Sequence, residues 1–96
     1  MQTRYTFRHM DTAPALQRYM DDKIDRLQKF DDTLMTADIT FTVEKRDQIV
    51  EVTLKTKGQV LNAVHKSEDM YASCDMIFEK LERQLRRHKE KLKSHH

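Results

Sequence analysis

Met70, Cys74, Ile77, Leu81, Leu85, His88 and Leu92 follow one another at intervals of four, three, four, four, three and four residues. That is the period of one face of an α-helix. At about 100° per residue the seven fall within a sector of roughly 80°. The spacing predicts one long helix from Ser67 to Lys93, with an apolar stripe that holds a sheet. Ser67 is the expected cap, with Glu68 and Asp69 in the favourable first turn and basic residues gathered in the last turns. Beside the stripe, Lys80, Arg83, Arg87 and Lys91 fill a second sector of similar width. The functional question is whether that row is a solvated surface or a binding surface.

The stripe needs something to cover, and the preceding residues supply it. Gln2 to Phe7 alternate, with Thr3, Tyr5 and Phe7 on one side, which reads as a strand. At Asp11-Thr12-Ala13-Pro14 a helix starts. Thr12 or Asp11 is placed to accept the free amide hydrogens of its first turn, and Pro14 suits that turn because it has no N–H to leave unpaired. Leu16, Tyr19, Met20, Ile24, Leu27 and Phe30 form its stripe, and Asp31-Asp32-Thr33 ends it. Lys23 stands at the edge of that stripe, where it either lays its stem over the core or faces something anionic.

Three strands are expected next. In residues 37–44, Ile39, Phe41 and Val43 alternate with polar neighbours; in 49–57, Val50, Val52 and Leu54 do so. The link Lys45-Arg46-Asp47-Gln48 is of hairpin length. Gly58 marks a second turn, into a strand over 59–66 whose inward face we read as Leu61, Ala63 and His65. Strands with one apolar face and helices with one stripe bury everything if both helices lie on the same side of a single sheet. The predicted fold is α+β: a two-layer β-α-β-β-β-α domain over residues 1–93, a four-stranded sheet with two helices on one face, followed by a disordered tail at 94–96.

With 96 residues there is room for one modest core, and a substrate pocket buried between domains is not expected. There is no apolar run of membrane-spanning length, and the first residues lack a signal-peptide core, so the expected location is cytoplasmic. Cys74, the one cysteine, has no internal disulfide partner and lies on the apolar stripe as packing. The histidines His9, His65, His88, His95 and His96 include no i, i+4 helical pair, so metal-ligand spacing is absent. One glycine rules out a glycine-rich phosphate loop, and no nucleophile–base arrangement stands out. The sequence argues against an enzyme, and no cofactor or metal is expected. A coiled-coil reading of the stripes leaves the strands uncovered, so core is the better reading.

Net charge is +2, but it is unevenly spread. From residue 80 onward seven Lys and Arg stand against Glu82 and Glu90, a balance of +5 that leaves −3 on the rest. A basic end on an acidic body permits a polyanion on one face. Glu79, Glu82 and Glu90 fall on the far side of the helix from the basic row. In the first helix Lys23 and Arg26 share a face, and with the helices side by side they are expected to join the row across the groove. Such a groove matches spaced phosphates, and arginine adds bidentate phosphate geometry. Tyr71 and Phe78 are the only stacking candidates on the second helix, so backbone and shape recognition of folded RNA is favoured over base readout.

Glu68-Asp69-Met70-Tyr71, Lys80-Leu81, Arg83-Gln84-Leu85 and the basic end resemble the bacterial ribosome hibernation promoting factors and the related ribosome-associated inhibitor protein Y. Pro14-Ala15-Leu16, Lys23 and Arg26-Leu27 extend the resemblance over essentially the whole chain. It implies a domain that binds the small ribosomal subunit and its rRNA in the decoding channel. It further implies blocked translation in stationary phase or stress, and association with 70S ribosomes and inactive 100S dimers. The family's basic positions map onto Lys23, Arg26, Lys80, Arg83 and Arg87; Lys91 is added from helix geometry. The chain stops after the second helix, as in the short form of the family. Two other readings remain open on the residues: a general double-stranded RNA binder, and a protein–protein adaptor using Val60 and Val64 on the outer sheet face.

Overall fold

A computed structural model describes the backbone of residues 1–93 and the side chains through Arg87. The elements run β1 (Gln2–Arg8), α1 (Pro14–Phe30), β2 (Leu34–Glu44), β3 (Asp47–Thr56), β4 (Val60–Ser67) and α2 (Met70–Lys93). One sheet has the order β1-β2-β3-β4. β1 pairs parallel with β2, with α1 as the crossover, and the other two pairings are antiparallel hairpins. The predicted α+β order is the order found. The tail at 94–96 lies outside the described residues.

Sequence alternation sets the sheet's two faces. Ile39, Phe41, Val50, Val52, Leu54, Leu61 and Ala63 turn inward and are buried, while Val60 and Val64 are exposed on the outer face. Leu16, Met20, Ile24 and Leu27 of α1 and Met70, Cys74, Ile77, Leu81 and Leu85 of α2 close the core from above. Tyr5 and Phe7 stack on Phe41 across the β1–β2 pair. Burying each such large apolar side chain is worth about 1.5–3 kcal/mol. His88 and Leu92, the last two members of the predicted stripe, carry side chains outside the described residues.

Both helix starts differ from expectation. Ala13, not Thr12 or Asp11, is the cap of α1, and no side chain caps it. Pro14 takes the first helical position and holds Ala13 extended, which leaves residues 11 and 12 too far upstream to cap. α2 begins after Asp69 rather than after Ser67. The Asp69 carboxylate accepts the Tyr71 amide at 3.1 Å, and its carbonyl accepts the Ser73 amide at 3.0 Å. Ser67 instead closes β4: its hydroxyl accepts the Asp69 amide and meets Ser73 Oγ at 2.7 Å. Ser73 is fully buried and donates to the Gln48 carbonyl at 2.8 Å, which ties the start of α2 to β3.

The first hairpin is tighter than its four-residue expectation. Glu44 pairs with Asp47, so only Lys45 and Arg46 turn, with Lys45 in the left-handed region at φ 55°. β2 also begins three residues early, through an irregularity between Leu34 and Thr36.

Candidate nucleic-acid interface

Two flanks of α2 decide where an anion can sit, and their neighbours identify them. On one flank Tyr71 packs edge-on against Tyr19 of α1, with ring centroids 5.0 Å apart. Asp75 accepts the Tyr19 hydroxyl at 2.6 Å and lies 2.9 Å from Lys23 Nζ. Further along, Arg86 pairs with Glu82 at 2.6 Å and lies over the Phe30 ring. This is the seam between the helices. On the opposite flank Lys80 Nζ donates to the Val64 carbonyl of β4 at 2.8 Å. Gln84 Nε2 donates to the Asn62 carbonyl at 3.2 Å.

The basic row starts on the second flank. At 100° per residue Arg87 stands about 20° and Arg83 about 60° from Lys80, toward the solvent-facing crest of α2; both are exposed. Arg83 stands at the far end of that row, about 40° from Glu79, and lines a surface cleft with Glu79, Glu82 and Arg86. Lys91 continues the row along the helix backbone, but its side chain lies outside the described residues.

The expected groove across the two helices is therefore not formed. Lys23 faces the seam, where α2 presents Asp75 to it. The ion pairs of the seam among the described residues are Lys23–Asp75 and Arg86–Glu82. Lys23 resolves both options weighed for it. Its side chain is only 12% exposed, its ammonium lies over the rings of Tyr19 and Phe78 at 4.8 and 5.1 Å, and the anion it faces is Asp75. Arg26 is exposed on α1, apart from the row. Tyr71 and Phe78, the stacking candidates, are engaged in the same seam.

This seam has definite electrostatics. The hydrogen bond from Tyr19, and then Lys23, hold the Asp75 carboxyl below its ordinary value. The same bond, followed by desolvation, pushes the Tyr19 hydroxyl up to about 12. Burial pushes the Cys74 thiol up to about 12, in keeping with an inert packing role. On the opposite flank of the same turns of α1, Tyr5 donates to Asp21 and to the Gln17 carbonyl, which fastens β1 to the helix. Among the described residues no cluster of three or more His, Cys, Asp or Glu could hold a metal ion. No described helix is long and apolar enough to cross a membrane.

A helical wheel finds the row but not its neighbours, and so Asp75, Tyr19 and Gln84 carry no signal when α2 is read alone. One signal does exist in the sequence: the acids of α2 lie on one flank, and the cations of α1 are their natural partners.

Known proteins with this pattern agree on one kind. The family described as "Sigma 54 modulation protein / S30EA ribosomal protein" matches residues 3–93. A ribosome hibernation promoting factor of Azotobacter vinelandii is 40% identical over 91 residues, 95% of this chain and 85% of that protein. The factor of the same name from Klebsiella oxytoca is 36% identical over 99% of this chain and 100% of its own length. A solved ribosomal subunit interface protein from Coxiella burnetii superposes with a TM-score of 0.88 at 33% identity, covering 94% of this chain and 99% of that one. The Thermus thermophilus protein Y N-terminal domain superposes with a TM-score of 0.81 at 20% identity, over 91% and 98% of the two chains. This last likeness is one of fold.

Proposed function

The chain belongs to the Sigma 54 modulation / S30EA ribosomal protein family, and from that premise we propose that it is a ribosome hibernation factor acting in the cytoplasm. It binds the small ribosomal subunit in the decoding channel, through rRNA backbone phosphates, and blocks translation in stationary phase or stress. The observation that carries this reading is the row of Lys80, Arg83 and Arg87, which runs from the β4 flank of α2 onto its solvent-facing crest. Lys91 extends the row, and Arg26 adds a separate contact from α1. Lys23 is a strut between the helices and not a phosphate ligand, because Asp75 already satisfies its charge.

The mechanism is occupancy. A rigid domain fills RNA-lined space and neutralises phosphates, and no bond is made or broken. Because such binding releases condensed counterions, it weakens steeply with salt. Lys80 is held ready for it: one of its three N–H donors goes to the Val64 carbonyl, which fixes the ammonium and leaves two donors for a phosphate.

Gradient sedimentation of lysates from growing and starved cells tests the reading. The protein should move from the top of the gradient to subunits, single 70S ribosomes and 100S dimers on starvation. If it stays at the top under both conditions, the reading fails.

A further inference from the structure

β4 is an edge strand, and its free edge is occupied in an unusual way. The Thr56 amide donates to the Gln59 carbonyl at 2.9 Å across the β3–β4 turn. Pairs on this ladder alternate between bonded and non-bonded. Leu54–Leu61, Val52–Ala63 and Val50–His65 are therefore the bonded pairs. Val60, Asn62, Val64 and Lys66 turn their amides and carbonyls away from β3, toward the open edge. An open edge of this length is a template for strand addition. Here two of its carbonyls, those of Asn62 and Val64, accept bonds from Gln84 and Lys80 on α2. The two side chains are one helical turn apart and reach two carbonyls one strand repeat apart.

We propose that Lys80 and Gln84 are edge guards, and that the surface they close is a strand-pairing site for a second copy of this chain. The occupant follows from the register that β4 itself allows. An antiparallel pairing with Asn62 on the two-fold axis sets outward-bonding residues opposite one another. It places Val60 against Val64 of the second copy on both sides of an Asn62–Asn62 pair. Val60 is 62% exposed and Val64 47% exposed on the outer face. Cross-strand apolar pairs of this kind stabilise a sheet, and a self-complementary patch is what a two-fold contact requires. The joined sheet would have eight strands. In the guarded state the same edge presents a charged ammonium instead, so the chain remains monomeric. This role of Lys80 stands apart from phosphate binding and needs no RNA.

The test is the mass of RNA-free full-length protein in high salt by sedimentation equilibrium. The parent chain should be a monomer at every concentration. Lys80→Ala with Gln84→Ala should show a concentration-dependent doubling of mass, and adding Asn62→Lys, which sets like charges on the axis, should restore the monomer. Lys80→Arg, which keeps the donor, should stay monomeric. If the double variant is monomeric throughout, the proposal is overturned. Association that survives Asn62→Lys overturns it equally, since the contact is then elsewhere. Should circular dichroism show the double variant unfolded, Lys80→Ala alone serves: doubling at higher concentration supports the proposal and a persistent monomer rejects it.

Discussion

The Lys23 ammonium lies 2.9 Å from the Asp75 carboxylate across the seam between α1 and α2. This pair sorts the cations of the chain into two groups. Lys23 and Arg86 in the seam are matched by Asp75 and Glu82, whereas Lys80 on the β4 side of α2 bonds a neutral carbonyl. The proposed polyanion surface therefore runs along α2 and the β4 edge, not between the helices.

Asp75→Asn tests the seam as a structural contact. The pair is partly exposed, so its removal should cost about 0.5–1 kcal/mol near neutral pH, by urea unfolding. The sign with pH follows from the lowered carboxyl. Its stabilisation is present above the ordinary value of 3.8 and disappears as pH falls through the lower folded value. Parent and variant should therefore differ at pH 7 and converge in acid. Equal stability at pH 7 would remove the strut from the account.

Ser73→Ala should cost more than its surface counterparts. The hydroxyl is fully buried and bonds Gln48 O and Ser67 Oγ. Removing it leaves the Gln48 carbonyl without this donor, at a cost of about 1–3 kcal/mol. Chemical denaturation checks the figure, and amides in the first turn of α2 should exchange faster.

Cys74 should be unreactive toward a thiol reagent in the folded protein and fully reactive in urea. It is buried, and its thiol is pushed up to about 12, so almost no thiolate is present at neutral pH. Labelling kinetics then report the opening of α2 from the sheet. Rapid labelling without denaturant would mean that α2 leaves the sheet freely.

The fold is legible in the sequence because each element repeats a single period: two in β1 to β4, and between three and four in α1 and α2. Leu61 and Ala63 read as inward because a small residue lets a helix approach. Helix starts are less legible, since Thr12, Asp11 and Ser67 all look like caps and the choice depends on where Pro14 and the Ser67–Ser73 contact place the chain. The candidate site is half legible. Periodicity shows that Lys80, Arg83 and Arg87 share a flank, but which neighbour each flank meets is a property of sheet order. For that reason the sequence alone groups Lys23 and Arg26 with the row, whereas the fold ties Lys23 to Asp75 in the seam and leaves Arg26 exposed on α1.

Charge-removing substitutions should separate the flanks by their salt dependence. Removing one phosphate contact reduces the slope of log affinity against log salt by about 0.7–0.9. Arg83→Gln with Arg87→Gln should lower the slope for small-subunit binding by about twice that amount. Arg26→Gln should lower it by about one contact, and Lys23→Gln by less than one. A Lys23 effect as large as that of Arg83 would put the phosphate in the seam.

The most direct measurement is co-sedimentation of purified protein with isolated small ribosomal subunits, comparing the parent chain with Arg83→Glu plus Arg87→Glu. Both side chains are exposed and lie outside the core among the described residues, so the variant should retain its circular dichroism and unfolding midpoint. It should remain in the supernatant while the parent pellets with the subunits. If the doubly reversed protein still pellets, the β4 side of α2 is not the binding surface.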